Sequence, residues 1–123
     1  FMSVCGLGDV YKRQIKVYRH FEKEVKKLSK RYKSLKQDLT ILAAELMQNP
    51  DMGTDLGNGL HKVRMSIASK GKGKRGGARV ITLIATLSKE EKEIGLHFIY
   101  DKSERENITD KELQAVLKDN GII

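Results

Sequence analysis

Apolar side chains in the first half of the chain recur at the spacing of two consecutive helices. In the first stretch they follow at steps of three and four residues, at Tyr18, Phe21, Val25, Leu28 and Tyr32, which puts them on one helix face. A second helix is predicted after Ser34, a candidate N-cap, with apolar positions at Leu35, Leu39, Leu42, Leu46 and Met47. Asn49-Pro50 ends it, because proline disfavours helical geometry in the residue before it. The two helices are expected to form a hairpin whose apolar stripes face a sheet.

The second half of the chain has the pattern of strands. Residues 60–67 alternate. One face has His61, Val63, Met65 and Ile67, and the other has Leu60, Lys62, Arg64 and Ser66. Residues 78–87 are apolar on both faces, as expected of a central strand, and residues 94–100 form a third strand. Residues 15–18 are the remnant of a first strand, whereas residues 51–59 and 101–107 are predicted to be loops. Thr109 and Glu112 have capping-box spacing for a short final helix, which ends at Asn120-Gly121.

A glycine-rich basic segment lies between two of these strands. Residues 69–79 contain four glycines and no acidic or large apolar residue, together with the cations Lys70, Lys72, Lys74, Arg75 and Arg79. Such a segment cannot enter a core, and glycine lets its backbone approach a ligand closely. It is predicted to be a charged loop between two strands, with a polyanion as its natural partner.

Composition narrows the class of protein. The chain has 123 residues and a net charge of +8, from 24 lysines and arginines against 16 aspartates and glutamates. This length suits one small domain, and no apolar run approaches the roughly 18 residues of a membrane span. Cys5 is the only cysteine, which excludes disulfides within the chain. A cytoplasmic protein with an anionic partner is expected; the alternative is that the charge only aids solubility.

The first 14 residues do not resemble the start of a natural domain. Residues 6–14 resemble the translation of a transposase adapter used in preparing sequencing libraries, and position 1 is Phe1 rather than methionine. We therefore predict a non-native tail over residues 1–14 and one domain over residues 15–123. A cloning scar or a disordered native tail is the alternative.

Two further patterns are weaker than they look. Residues 71–76 fit the GxGxxG spacing, but a dinucleotide-binding turn needs a strand before it and a helix after it, and here a strand follows. His20, His61 and His97 lack the spacing of metal ligands. His61 and His97 are expected to be half-buried residues of the sheet rather than catalytic bases.

Three segments carry a family resemblance: Leu60-His61-Lys62-Val63-Arg64, the basic segment of residues 69–81, and Ile99-Tyr100-Asp101-Lys102. With the order of the elements, they resemble the RelE/ParE superfamily of toxins from type II toxin–antitoxin modules, in its RelE-like and HigB-like branch. The likeness covers residues 15–123. It implies an α+β fold in which the helices pack on one side of a small twisted antiparallel sheet, with a short C-terminal helix.

The resemblance also implies a function. Such a toxin is a ribosome-dependent endoribonuclease, an mRNA interferase that cuts messenger RNA in the decoding site, inhibits growth, and is held inactive by a cognate antitoxin. Carried over by position, the candidate catalytic residues are Lys62, Arg64, Arg79, Tyr100 and Lys102; the candidate RNA-binding residues are Lys70, Lys72, Lys74 and Arg75. A tyrosine that some members use in the last helix is not clearly present, since Ile108 lies there, so the general base stays open.

The chemistry suits these residue types without a metal or another cofactor. Attack of the 2′-hydroxyl on the adjacent phosphorus needs in-line placement, a base, charge stabilisation and an acid for the leaving oxygen. The planar fork of Arg79 suits the phosphorane, and Tyr100 or Lys102 can donate to the leaving oxygen. Candidate bases, whose ammonium form nearby cations disfavour, are Lys62, Lys70 and Lys72. Two alternatives stay open: a ParE-like inhibitor of DNA gyrase, and a non-catalytic RNA-binding module.

Overall fold

The computed structural model describes residues 12–71, 73, 76–88 and 91–122. Within these residues the chain forms an α+β domain with five strands and three α-helices. In chain order they are β1 (Lys12–Val17), α1 (Arg19–Arg31), α2 (Leu35–Gln48), β2 (Thr54–Gly57), β3 (Leu60–Met65), β4 (Ala78–Thr86), β5 (Glu91–Asp101) and α3 (Asp110–Asp119), with a 3₁₀ turn at Ala68–Lys70.

The five strands form one mixed sheet in the order β1-β5-β4-β3-β2. Strands β2 to β5 pair antiparallel with their neighbours, whereas β1 pairs parallel with β5, for example Ile15 with Ile94. The expectation of a purely antiparallel sheet is therefore wrong. The reason is the connection: the chain passes through two helices and three strands between β1 and β5, and such a long crossover permits parallel pairing.

The prediction of a loop over residues 51–59 is also wrong in part, because Thr54–Gly57 pairs with β3 as an edge strand. Asn58 and Gly59 join the two strands, and both have positive φ angles, of 54° and 82°. Two central residues with positive φ are what a tight two-residue hairpin turn requires. This turn folds the short strand β2, all of whose residues are exposed, back against β3.

Helices α1 and α2 cover one face of the sheet. Phe21 and Leu28 of α1 and the leucines of α2 share a buried cluster with Val63, Val80 and Ile94 of the strands. This confirms that the apolar stripes of both helices pack on the sheet; their arrangement as a hairpin stays a prediction. Helix α2 ends at Gln48, before Asn49-Pro50, as predicted.

Helix α3 packs on the opposite face. Its buried residues Leu113, Val116 and Leu117 form a second cluster with Ile81 and Phe98 among others, and these strand residues alternate with those of the first cluster. The expectation that the helices lie on one side is therefore wrong for α3. A bulge in β5 opposite Ile81 and Thr82 shifts the alternation of the strand, which gives both faces apolar residues to bury.

The termini of the helices differ in how they are capped. The predicted capping box of α3 is confirmed, with Thr109 and Glu112 exchanging bonds between side chain and backbone. Ser34 precedes α2 as predicted, but its side chain makes no cap bond. Its Oγ donates instead to Asp38 Oδ2 at 2.8 Å, because Ser34 itself has a helical backbone conformation.

Strand β1 begins at Lys12, three residues before the domain boundary predicted at Ile15. Arg13 also reaches across to α2, where its guanidinium donates to the Met47 carbonyl at 2.6 Å. The foreign origin of residues 1–14 stays a prediction, and residues 1–11 lie outside the described part of the chain. Residues 12–14, whatever their origin, are paired in the sheet.

Candidate functional site

Three predicted site residues lie in a row across neighbouring strands. Arg64 of β3 pairs directly with Arg79 of β4, and Arg79 pairs with Tyr100 of β5. Side chains at directly paired positions project from the same face, with Cβ atoms about 5 Å apart. The row lies on the α3 face of the sheet, because Tyr100 belongs to the α3 cluster. We call Arg64, Arg79 and Tyr100 the cationic row.

Burial differs along the cationic row. Arg64 is exposed, whereas Arg79 is 6% exposed and Tyr100 5%. Burial first, and then the charge of Arg64, lower the pKa of the Arg79 guanidinium, and Nη1 of Arg79 donates to the Ala78 carbonyl at 3.1 Å. A like-charged pair on opposite strands is therefore held partly out of water.

Tyr100 is a protonated phenol at neutral pH. Burial raises the pKa of its hydroxyl, and this outweighs the guanidiniums of Arg79 and Arg105, which lower it. Within the described residues, the buried Tyr100 Oη has no hydrogen-bond partner. Such an unsatisfied hydroxyl is costly, and it is able to donate to an acceptor that reaches it.

Lys62 and Lys102 border the cationic row. Lys62 lies two residues before Arg64 on the same face of β3, and its Nζ donates to Asn107 Oδ1 at 3.1 Å. Lys102 follows Tyr100 by two residues, and its Nζ donates to the Glu106 carbonyl at 2.8 Å. The loop between β5 and α3 is thus tied both to itself and to β3, and the five candidate catalytic residues lie around one end of the sheet.

Arg105 is a site residue that the sequence reasoning missed. Its guanidinium lies over the rings of Phe98 and Tyr100, with its Cζ 5.7 and 6.0 Å from their centroids, and it forms an ion pair with Glu112. The sequence contained part of the information needed to find it, because the capping box places Glu112, the ion-pair partner of Arg105, in the first turn of α3. What the sequence did not give is the fold of the loop that lays Arg105 over Tyr100.

The part of the basic segment that lies between β3 and β4, residues 70–77, is here called the basic loop, and the structure describes only part of it. Lys72, Lys74 and Arg75 lie outside the described residues. Lys70 is described, and its side chain is only 7% exposed; its Nζ lies 2.6 Å from Asp101 Oδ1. Asp101 follows Tyr100 on a strand, so its side chain lies on the face of α1 and α2. Lys70 therefore points away from the cationic row.

The histidines are structural in their surroundings. His61 and His97 lie in the sheet as predicted, but both are buried rather than half-buried. His97 stacks on Tyr18 with ring centroids 4.1 Å apart, and its Nδ1 lies 3.0 Å from Asn120 Nδ2. Among the residues that the structure describes, no three His, Cys, Asp or Glu side chains are grouped as a metal site would require.

The sequence of residues 9–121 matches the family described as RelE toxin of the RelE / RelB toxin-antitoxin system. The chain belongs to the RelE toxin family. This confirms the expected RelE/ParE-superfamily toxin of a toxin–antitoxin system; the narrower HigB-like branch stays a prediction. RelE-family toxins are generally endoribonucleases, and the family implies a cognate antitoxin as partner. In the described part of this RelE-family chain, no helix is both long and apolar enough to span a bilayer.

Proposed function

We propose that this RelE-family toxin is a ribosome-dependent endoribonuclease, which cleaves messenger RNA by metal-independent attack of the 2′-hydroxyl and so arrests growth in the cytoplasm. The observation that carries the proposal is the cationic row, because the register of β3, β4 and β5 brings two guanidiniums and a phenol to one level of the sheet. Neighbouring residues of the row have Cβ atoms about 5 Å apart, and we infer that more than one of these side chains contacts the same phosphodiester. Lys62, Lys102 and Arg105 extend the positive charge around it.

Each residue of the site has a role in this proposal. Arg79 and the exposed Arg64 hold the phosphate oxygens and stabilise the charge that develops on the phosphorane, for which a planar guanidinium fork is suited. Tyr100, kept protonated by its raised pKa, donates to the leaving 5′-oxygen. Because its hydroxyl is buried under Arg105, this contact requires the Arg105 side chain to shift when RNA binds.

Lys62 and Lys102 complete the assignment. Lys62 is the nearest described candidate for a general base, since it shares a strand face with Arg64, whereas Lys102 neutralises the leaving group or the flanking phosphate. Lys72, Lys74 and Arg75 are proposed to bind RNA phosphates on the messenger or the ribosome. Ribosomal RNA orients the substrate, so the isolated toxin is expected to be nearly inactive on free RNA.

The test adds purified toxin to translating ribosomes and maps the ends of the message. Cleavage products that carry 2′,3′-cyclic phosphate support the proposal. DNA breaks that depend on gyrase, without RNA cleavage, support the ParE-like alternative. Binding to ribosomes with neither reaction supports a non-catalytic RNA-binding module.

Arg79 provides the sharpest variant. Arg79→Ala should lower kcat by about a hundredfold or more, as expected for a lost transition-state contact. Arg79→Lys keeps the charge but not the fork and should recover only part of the rate. Lys118→Ala, which removes an exposed cation at the end of α3, is the matched control. Full toxicity of a folded Arg79→Ala protein would remove Arg79 from the mechanism.

A further inference from the structure

A fully buried carboxylate stands directly behind the cationic row. The side chain of Asp101 is 0% exposed, and its Oδ1 accepts from Lys70 Nζ at 2.6 Å, from Ser103 N at 2.9 Å and from Ser103 Oγ at 2.6 Å. Its Oδ2 accepts from Tyr32 Oη at 2.5 Å. These donors hold the pKa of Asp101 far below its usual value although burial opposes them, so the group is an anion.

The two ends of the basic loop are both held at the end of β5. The entry is held by the side chain of Asp101, through Lys70. The exit is held by the backbone of the next residue, because Lys102 N donates to the Gly77 carbonyl at 3.1 Å. Asp101, the last residue of β5, and Lys102, which follows it, therefore hold the two described residues at the ends of the loop, Lys70 and Gly77.

The two residues before Lys70 are also held in place, by hydrogen bonds to the start of α2. Asp38 Oδ2 accepts from Ala68 N at 3.1 Å, and Ser34 Oγ accepts from Ser69 N at 2.9 Å. The start of α2 thus binds the two residues before Lys70. These bonds fix the residues before the basic loop in place without a ligand, which lowers the entropy cost of ordering them when a ligand binds.

The backbone of Asp101 organises the other side of the site. Its carbonyl accepts from Glu104 N at 3.0 Å and from Arg105 N at 3.2 Å, which forms the turn that carries Lys102 and Arg105. Tyr100, the residue before it, belongs to the cationic row. Asp101 is thus linked to every part of the site that lies near the end of β5.

We propose that Asp101 and Lys70 are positioning residues, which fix the described ends of the basic loop at the end of β5; this inference rests on the proposed nuclease function. Lys70 is then not a ligand of RNA. Its ammonium already donates to Asp101 Oδ1 and Ser103 Oγ, and it lies 5.3 Å from the centroid of the Tyr32 ring.

The first experiment measures the position of the loop without using activity. The backbone amides of Lys70 and Gly71 donate to Ile67 and Ala68, so their hydrogen exchange reports opening of the loop entry. Asp101→Asn should speed their exchange by about tenfold or more relative to amides in β4, while Asp51→Asn, at an exposed turn, should not. Equal exchange rates in wild type and Asp101→Asn would overturn the proposal.

The second experiment measures cleavage on ribosomes. Lys70→Met and Asp101→Asn should each lower kcat by about tenfold with little change in KM, and the double variant should be no slower than the slower single variant, because both changes break one contact. The logarithm of ribosome affinity against the logarithm of salt concentration should keep its slope in Lys70→Met. A slope lower by about 1, together with unchanged cleavage by Asp101→Asn, would mean that Lys70 binds a phosphate, and would overturn the proposal.

The outcomes separate this inference from the proposed function. If wild type fails to cut messages, the nuclease proposal is lost, while the exchange experiment still decides whether Asp101 holds the loop. If wild type cuts and both folded variants cut equally well, the function stands and the inference is lost. Should Asp101→Asn fail to fold, Lys70→Met decides alone, since it leaves Asp101 with its bonds from Tyr32 and Ser103.

Discussion

Replacing His97 by phenylalanine should remove an acid sensitivity that this side chain builds into the fold. His97 lies in the bulge of β5, stacked on Tyr18 and fully buried. Asn120 Oδ1 accepts from His20 N at 2.9 Å, so the amide nitrogen of Asn120 must face His97 and donate to Nδ1. His97 is therefore neutral with its proton on Nε2, and protonation of Nδ1 would break the bond from Asn120.

The magnitude follows from the pKa of His97. Burial first, and then the charge of Lys16, lower the pKa from 6.5 to about 4. A fall in pKa of this size disfavours protonation of the folded state by about 3.5 kcal/mol at low pH, since a change of one in pKa corresponds to roughly 1.4 kcal/mol. The folded state disfavours protonation of His97. The contribution of neutral His97 to the free energy of unfolding is therefore fully present above the unfolded-state pKa of 6.5, and it is lost as pH falls from 6.5 towards 4. Between about pH 7.5 and about pH 4.5, His97 should cost the folded state about 2.5 kcal/mol.

Urea unfolding of wild type and His97→Phe at these two pH values measures the effect. The ionisable groups near His97, which are Tyr18 with Glu93 and His20 with Asp119, are the same in both proteins, so their contributions cancel in the difference. The lost bond from Asn120 lowers stability equally at both pH values. The wild type should lose about 2.5 kcal/mol more than the variant on acidification. Equal losses in the two proteins would show that His97 has the same pKa in the folded and the unfolded state.

Three further predictions concern the elements that support the site. Thr109→Ala removes the cap of α3 and should cost about 1 kcal/mol in urea unfolding; no measurable loss would show that α3 is held by its apolar face alone. Phe21→Ala empties a fully buried position of α1 and should cost about 3–5 kcal/mol, a value that a thermal shift of only a degree or two would contradict. Gly77→Ala places a Cβ 2.0 Å from the Met65 carbonyl oxygen, so β3 and β4 must separate. A loss above about 2 kcal/mol is expected, and wild-type stability would refute the close packing.

Local patterns in the sequence predicted the placement of Lys62 and Arg64. Alternation along β3 assigns faces within one strand, and the observed burial confirms it: Val63 and Met65 are buried, whereas Arg64 is exposed. The hairpin at Asn58-Gly59 was also readable, since this dipeptide favours a tight turn. The exposed strand before it has no apolar pattern, so hydrophobic periodicity alone predicts a loop over residues 51–59.

Features that depend on residues far apart in the sequence could not be predicted from local patterns. The parallel pairing of Ile15 with Ile94 joins residues 79 positions apart, and no local pattern encodes it. Lys70 stands in a basic segment and resembles its neighbours, yet its burial depends on Asp101, 31 residues further on. The side of the sheet that α3 covers depends on the bulge in β5, because one extra residue reverses the faces that follow it.

The cationic row contradicts the rule that like charges avoid directly opposed positions on neighbouring strands. Arg64 and Arg79 face each other, and Arg79 is buried as well, so burial and the charge of Arg64 both disfavour the charged form of Arg79. The fold tolerates this because its larger core lies on the other face, under α1 and α2, whereas α3 covers only the apolar part of this face. Sequences keep such local conflicts mainly where function requires them. If the proposed function is right, a phosphate of RNA and a carboxylate of the antitoxin are both attracted to this surface, so we expect the two partners to compete for it.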